Sequence, residues 1–196
     1  MKKILFLHGF FATGSCPMAL VLRDVLVGRV VVLTPDLPLY PKESLRYIRS
    51  IISSERPDLL LGNSCGAFLA QMLSHDMHIK ALLGNPYFEM TKFLGERIGT
   101  HEYKAPRRDG RQQFVIDKTL IAEFADLEAH QFDGCTQEWR SRVWGLFGEC
   151  DTLAHYEPMF LKYYDRSFHF PGGHTPTSQE TKEWYVPLAM RMLGEL

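Results

Sequence analysis

A three-layer α/β/α domain on a mostly parallel sheet is the fold class that this sequence predicts. Short continuous apolar runs at 2–7, 30–33, 59–61, 81–83 and 143–147 recur along the chain, as strands buried on both faces do. Helical patterns separate them, and strands alternating with helices give a parallel sheet covered on both sides. The chain has 196 residues, 45% of them hydrophobic and 23% charged, which suits one domain with a sizeable core. A single domain over 1–196 is expected, with a small insertion over the site within 89–142.

Taken in order, the run at 2–7 is a buried first strand, closed by His8-Gly9 and a loop of small residues. Ser15 is placed to cap a helix over 17–27, with Pro17 in its first turn and Gly28 after its end. The second strand, 30–33, exits into Thr34-Pro35-Asp36-Leu37-Pro38-Leu39-Tyr40-Pro41, which three prolines keep irregular. Leu45, Ile48, Ile51 and Ile52 give one apolar face to a helix over 42–54. Strand 59–61 leads into a sharp turn and a helix to about His75. Strand 81–83 ends at the breakers Gly84-Asn85-Pro86. The span 89–142 is the least periodic; it holds an extended piece at 113–116 and a helix over 118–128. Strand 143–147, a helix over 155–164, strand 167–170 and a terminal helix over 178–193 complete the layers. Pro187 is expected to kink or break that last helix.

Composition excludes several function classes. The net charge of −1 gives no basis for binding nucleic acid or an anionic membrane. No stretch is long and apolar enough to span a bilayer. The two lysines and short apolar run at the start do not form a signal peptide, since His8-Gly9 interrupts the run. The four cysteines, Cys16, Cys65, Cys135 and Cys150, lack Cys-x-x-Cys spacing. They are expected to be reduced thiols in a cytoplasmic protein, with no metal site and no cofactor. No feature specifies an oligomeric state.

The chemistry centres on Gly62-Asn63-Ser64-Cys65-Gly66, set between a strand and a helix. This is the pattern of a nucleophile elbow, in which a strained turn exposes the central serine hydroxyl. The bland alternative is a Gly/Ser-rich turn without chemistry. A serine needs a base, and the base needs an orienting acid. In an open parallel sheet, reacting groups gather beyond the strand C-termini. Asp151 lies after strand 143–147, with Glu149 as its nearest rival; Asp36 also follows a strand but precedes the serine. A capping role for Asp151 at the helix expected from His155 is the structural alternative. Among the eight histidines, His174 sits in a Gly-Gly loop after the last strand, His155 beside Asp151, and His169 within a strand. The order Ser64, Asp151, His174 favours His174 as the base.

The backbone N–H of Cys65 is the expected first oxyanion donor, and that of Phe10 the second, with Phe11 as alternative. The Cys65 thiol reads as packing. His8 reads as a residue that hydrogen-bonds the loop. Phe10, Phe11, Tyr40, Tyr87 and Phe88 all follow strand ends and are candidates to line an acyl pocket.

The chain resembles the YqiA-like esterases. The matching residues are Leu7-His8-Gly9-Phe10, Pro35-Asp36-Leu37-Pro38 with Tyr40-Pro41, the elbow through Phe68, Asn85-Pro86, Gln113-Phe114-Val115-Ile116, Gly148-Glu149-Cys150-Asp151 and Gly172-Gly173-His174. The resemblance implies a compact α/β-hydrolase and esterase activity on acyl esters, with CoA thioesters among the candidates. It implies Ser64 as nucleophile, Asp151 as acid and His174 as base. A small-molecule acyl ester or thioester is the expected partner. A peptidase, a C–C bond hydrolase and a non-catalytic binding protein of the same fold remain open alternatives.

Overall fold

The computed structural model describes residues 1–195. Six strands form one parallel sheet in the order β2-β1-β3-β4-β7-β8: β1 (Lys2–Leu7), β2 (Val30–Leu33), β3 (Leu59–Asn63), β4 (Lys80–Gly84), β7 (Val143–Gly148) and β8 (Arg166–Phe170). The two remaining strands, β5 (Gly99–Glu102) and β6 (Gln113–Ile116), make a separate antiparallel pair.

Successive strand side chains point to opposite faces, so each buried strand feeds two cores. Leu5, Leu7 and Leu60 join the core under α2 (Pro41–Glu55), α3 (Cys65–Met77) and α5 (Lys118–Glu128). Ile4, Phe6, Leu59 and Leu61 join the opposite core, under α1 (Pro17–Val25) and α8 (Val186–Leu193). All of these leucines, and Ile4, are fully buried. This is the three-layer arrangement expected from the apolar runs.

Several local expectations are corrected. Helix α1 ends at Val25, and its N-cap is Cys16, not Ser15. No cap hydrogen bond comes from the Cys16 side chain. His155 lies ahead of the next helix, α6 (Glu157–Tyr163), which starts with Pro158 in its first turn. Pro187 does not break the terminal segment. A short α7 (Ser178–Glu180) passes into a π turn (Thr181–Tyr185), and Pro187 then stands in the first turn of α8. The wider turn just before it, in which the Val186 N–H donates to Thr181 O, accommodates a residue with no N–H to give. That segment opens with a reciprocal cap between Thr177 and Glu180.

The span 89–142 holds α4 (Met90–Gly95), the β5–β6 pair, α5 and a 3₁₀ turn at Trp139–Arg142. Its hairpin lies against the loop after β1: the Lys104 N–H donates to Phe11 O at 2.8 Å. No helix among the described residues is long and apolar enough to cross a membrane.

Candidate active site

Ser64 follows β3 and precedes the first turn of α3 with φ 56° and ψ −120°, a conformation few non-glycine residues adopt. The local sequence makes this turn feasible. A Cβ on Gly62 would lie 2.4 Å from Gly66 O, and a Cβ on Gly66 only 2.0 Å from Leu7 O. Both positions therefore accept only glycine. The turn is held by Ser64 N–H donating to Gly84 O at 2.9 Å and Ala67 N–H to Ser64 O at 3.0 Å.

Loops after three different strands converge here. His174 Nε2 lies 2.8 Å from Ser64 Oγ, and its Nδ1 lies 2.8 Å from Asp151 Oδ2. Asp151 Oδ1 accepts from the N–H groups of Leu153 and Ala154 at 2.7 and 3.0 Å. One carboxylate oxygen thus fixes its own loop while the other faces the imidazole. Burial alone would raise the Asp151 pKa. The hydrogen bond from His174, its charge once the imidazole is protonated, and the two amide donors outweigh burial and hold it below the ordinary carboxylate value. An ionised Asp151 can only accept, so His174 Nδ1 carries the proton and Nε2 is left to accept from the Ser64 hydroxyl.

Asn85, just beyond β4, ties these loops together. Its side-chain N–H₂ donates to Gly173 O and His174 O at 2.9 and 3.0 Å, and its Oδ1 accepts from Gly148 N–H at 2.7 Å. Asn85 is 1% exposed and has φ 40°. Sequence reasoning noted Asn85-Pro86 only as a breaker and a point of resemblance; its position directly after a central strand was the available signal.

The rivals lie elsewhere. Glu149 and His155 are exposed. His169 pairs with Glu157 at 2.9 Å. Asp36 accepts from the N–H groups of Gly14 and Arg108, both at 2.7 Å, joining the loop after β1 to the β5–β6 connection. His8 is 4% exposed. It accepts from Leu37 N–H at Nε2 (3.0 Å), so its Nδ1 donates to Gly9 O (2.8 Å). Burial lowers its pKa to about 4, which keeps this bonding pattern neutral.

The loop fixed by His8 passes close to the serine: a Cβ on Gly9 would lie 3.5 Å from Ser64 Cβ. Phe10 belongs to this loop. Cys65 opens α3, where helix geometry leaves the first N–H groups without partners inside the helix. Its thiol is buried in the core, and burial pushes its pKa up to about 12. That thiol is not a nucleophile at neutral pH.

A cavity of about 330 Å³ opens beside Ser64 and His174. Phe10 and Phe11 line it, together with Phe93, Arg97, Lys104 and Leu153. Phe93, Arg97 and Lys104 come from the aperiodic span 89–142, and no local signal marked them. Tyr40, Tyr87 and Phe88 are not part of this lining. The Tyr40 hydroxyl donates to Asp117 at 3.0 Å, linking the starts of α2 and α5. Phe88 is fully buried, and the Tyr87 ring packs edge-on to His174 at 6.2 Å. Being placed after a strand end decided the edge of the sheet but not the direction of these rings. Among the described residues, no group of three or more His, Cys, Asp or Glu side chains could hold a metal ion.

Solved structures share this fold. A monoacylglycerol lipase from Paleococcus ferrophilus superposes with a TM-score of 0.70 at 14% identity, covering 99% of this chain and 95% of that one. Est1E from Butyrivibrio proteoclasticus, solved with ferulic acid bound, gives 0.69 at 16% identity over 100% and 89% of the two chains. The thioesterase domain from the curacin biosynthetic pathway gives 0.66 at 16% over 98% and 91%. At these identities the likeness is one of fold, that of the α/β-hydrolases. A family profile also matches residues 3–166. The chain therefore belongs to the family described as Uncharacterised protein family (UPF0227), the YqiA-like esterase family that its sequence resembles.

Proposed function

We propose that this protein is a serine hydrolase of the carboxylesterase type, cleaving acyl esters through an acyl-enzyme. The observation that carries this reading is the unbroken relay from Asp151 Oδ2 through His174 to Ser64 Oγ, with both contacts at 2.8 Å. In this reading Ser64 Oγ attacks the ester carbonyl while His174 Nε2 takes its proton. The tetrahedral intermediate collapses, the C–O bond to the alcohol breaks, and His174 returns the proton to the leaving oxygen. Water then repeats the sequence on the acyl-enzyme, releasing the acid. Asp151 holds the imidazole in the required tautomer and stabilises the imidazolium. The N–H groups of Cys65 and Phe10 receive the oxyanion; each such donor is typically worth about 10²–10³ in turnover. Phe10, Phe11 and Phe93 offer the acyl chain an apolar wall. The lipase named among the structural neighbours agrees with an ester substrate.

Labelling with a fluorophosphonate probe tests the nucleophile. Wild type is expected to be modified and Ser64→Ala not; a folded wild type that stays unlabelled removes the reading. His174→Ala is expected to lose far more ester turnover than His155→Ala, and the reverse ranking reassigns the base. A panel of oxygen esters and thioesters of graded chain length then separates esterase from thioesterase.

A further inference from the structure

The far edge of the sheet carries a second, unrelated cluster. Parallel strands run the same way, so their first residues share one edge and Ser64 lies at the other. Lys80 opens β4, Arg142 immediately precedes β7, and Arg166 opens β8. The register pairs Trp144 with Arg166 and Ala81 with Val143, so these cations stand on neighbouring strands. Arg191, in the last turn of α8, joins them from the helical layer. All four line one cavity of about 380 Å³ around Trp144, and among the described residues Glu138 is the only carboxylate in that lining.

Three of the cations are held in place before any ligand arrives. The Arg166 and Arg191 guanidinium carbons stand 5.2 and 5.6 Å from the centroid of the Trp144 ring, within the range of cation–π attraction. Lys80 Nζ donates to Met192 O at 3.0 Å, and among the described residues its other two N–H bonds have no partner. The Arg142–Glu138 pair, at 3.9 Å with both side chains exposed, compensates little. Four like charges on one small cavity repel one another within a Debye length. An anion entering it would relieve that repulsion and gain charge-assisted hydrogen bonds.

We propose that this cavity is a binding site for a small polyanion carrying two or more phosphoryl groups. Three guanidinium forks and one ammonium match several phosphoryl oxygens better than a single carboxylate. The site favours a phosphoryl chain over a nucleobase. Trp144 is only 9% exposed and two guanidinium groups already stand over it, so a base finds no open aromatic face. The site lies apart from Ser64 and does not depend on the ester-cleaving reading.

Isothermal titration with inorganic pyrophosphate at fixed ionic strength tests this. Wild type is expected to bind one equivalent saturably and to bind orthophosphate at least tenfold more weakly. Arg166→Gln/Arg191→Gln is expected to weaken pyrophosphate at least tenfold while ester turnover is unchanged. Should that double variant fail to fold, the exposed Arg142→Gln, expected to be at least threefold weaker, takes its place. No saturable heat with wild type, unchanged affinity in the folded variant, or equal affinity for acetate would each overturn the proposal.

Discussion

The side-chain amide of Asn85 donates to the main-chain oxygen of His174 at 3.0 Å. The same side chain also bonds Gly173 O and Gly148 N–H. One buried side chain thus sets the spacing between the loop of the base and the strand leading to the acid. Removing it leaves three half-buried backbone groups without this partner, at up to about 1 kcal/mol each. It also frees the imidazole to drift, and a displacement of about 1 Å can lower rate by about 10². Asn85→Ala is therefore expected to lower kcat for an activated ester by roughly 10–100-fold and to lower the Tm. Asn85→Asp keeps the acceptor for Gly148 but sets a carboxylate oxygen against the Gly173 and His174 carbonyls, and is expected to lose at least as much as Asn85→Ala. Wild-type kcat in Asn85→Ala would mean that the His174 loop holds itself.

Asp36 does the corresponding work for the loop after β1. Its two oxygens accept from Gly14 and Arg108, and Arg108 in turn donates to Thr34 O at 2.7 Å. This clamp holds the β5–β6 connection against the loop that contains Phe10. Asp36→Ala is expected to reduce kcat more than it raises KM, because oxyanion donors act mainly in the transition state. Steady-state kinetics on a short-chain ester checks the split. Asp36→Asn keeps one carbonyl acceptor and is expected to recover part of the loss; a pure KM effect would place Asp36 in substrate binding.

The elbow glycines differ sharply from a glycine in open space. A Cβ on Gly66 would meet Leu7 O at 2.0 Å and Leu7 C at 2.5 Å, both backbone atoms of the central sheet. Gly66→Ala is expected to destabilise by more than about 4 kcal/mol or to prevent folding. Gly28 has φ +76° but nothing within 4 Å of its Cβ position. Gly28→Ala is expected to cost only about 1–2 kcal/mol, the strain of a left-handed backbone. Denaturant unfolding of the pair measures the contrast.

Stability is expected to fall as pH drops from about 6.5 to 4. Burial lowers the pKa of both His8 and His75 to about 4. The unfolded chain protonates these imidazoles near pH 6.5, while the folded chain resists until about pH 4. Proton uptake between those values therefore favours unfolding, by roughly 3 kcal/mol for each histidine over the whole window. Asp151, held low, loses its own contribution only below the ordinary carboxylate range. Unfolding free energies at pH 7, 6, 5 and 4.5 give the slope. His75→Gln, which can still accept from the Tyr164 hydroxyl now 2.7 Å from His75 Nε2, is expected to make it shallower. An unchanged slope would assign the proton uptake to other groups.

The layers, the strands of the main sheet and the serine turn were legible in the sequence because local rules govern them. Apolar runs such as 59–61 state burial on both faces, and the spacing of Gly62, Ser64 and Gly66 states a turn that excludes side chains on both flanks. Chain order also singled out Asp151 and His174, since both follow strands that end at one edge. Ring direction was not legible: Phe10 and Phe11 line the cavity, while Phe88 turns into the core. Tertiary structure alone decided that Phe93, Arg97 and Lys104 reach the cavity, and that Asn85 and Asp36 clamp its loops. These contacts join residues far apart in sequence, as with Asp36 and Arg108, so no local periodicity records them. They arise when strand order and loop packing bring separate segments within hydrogen-bond reach.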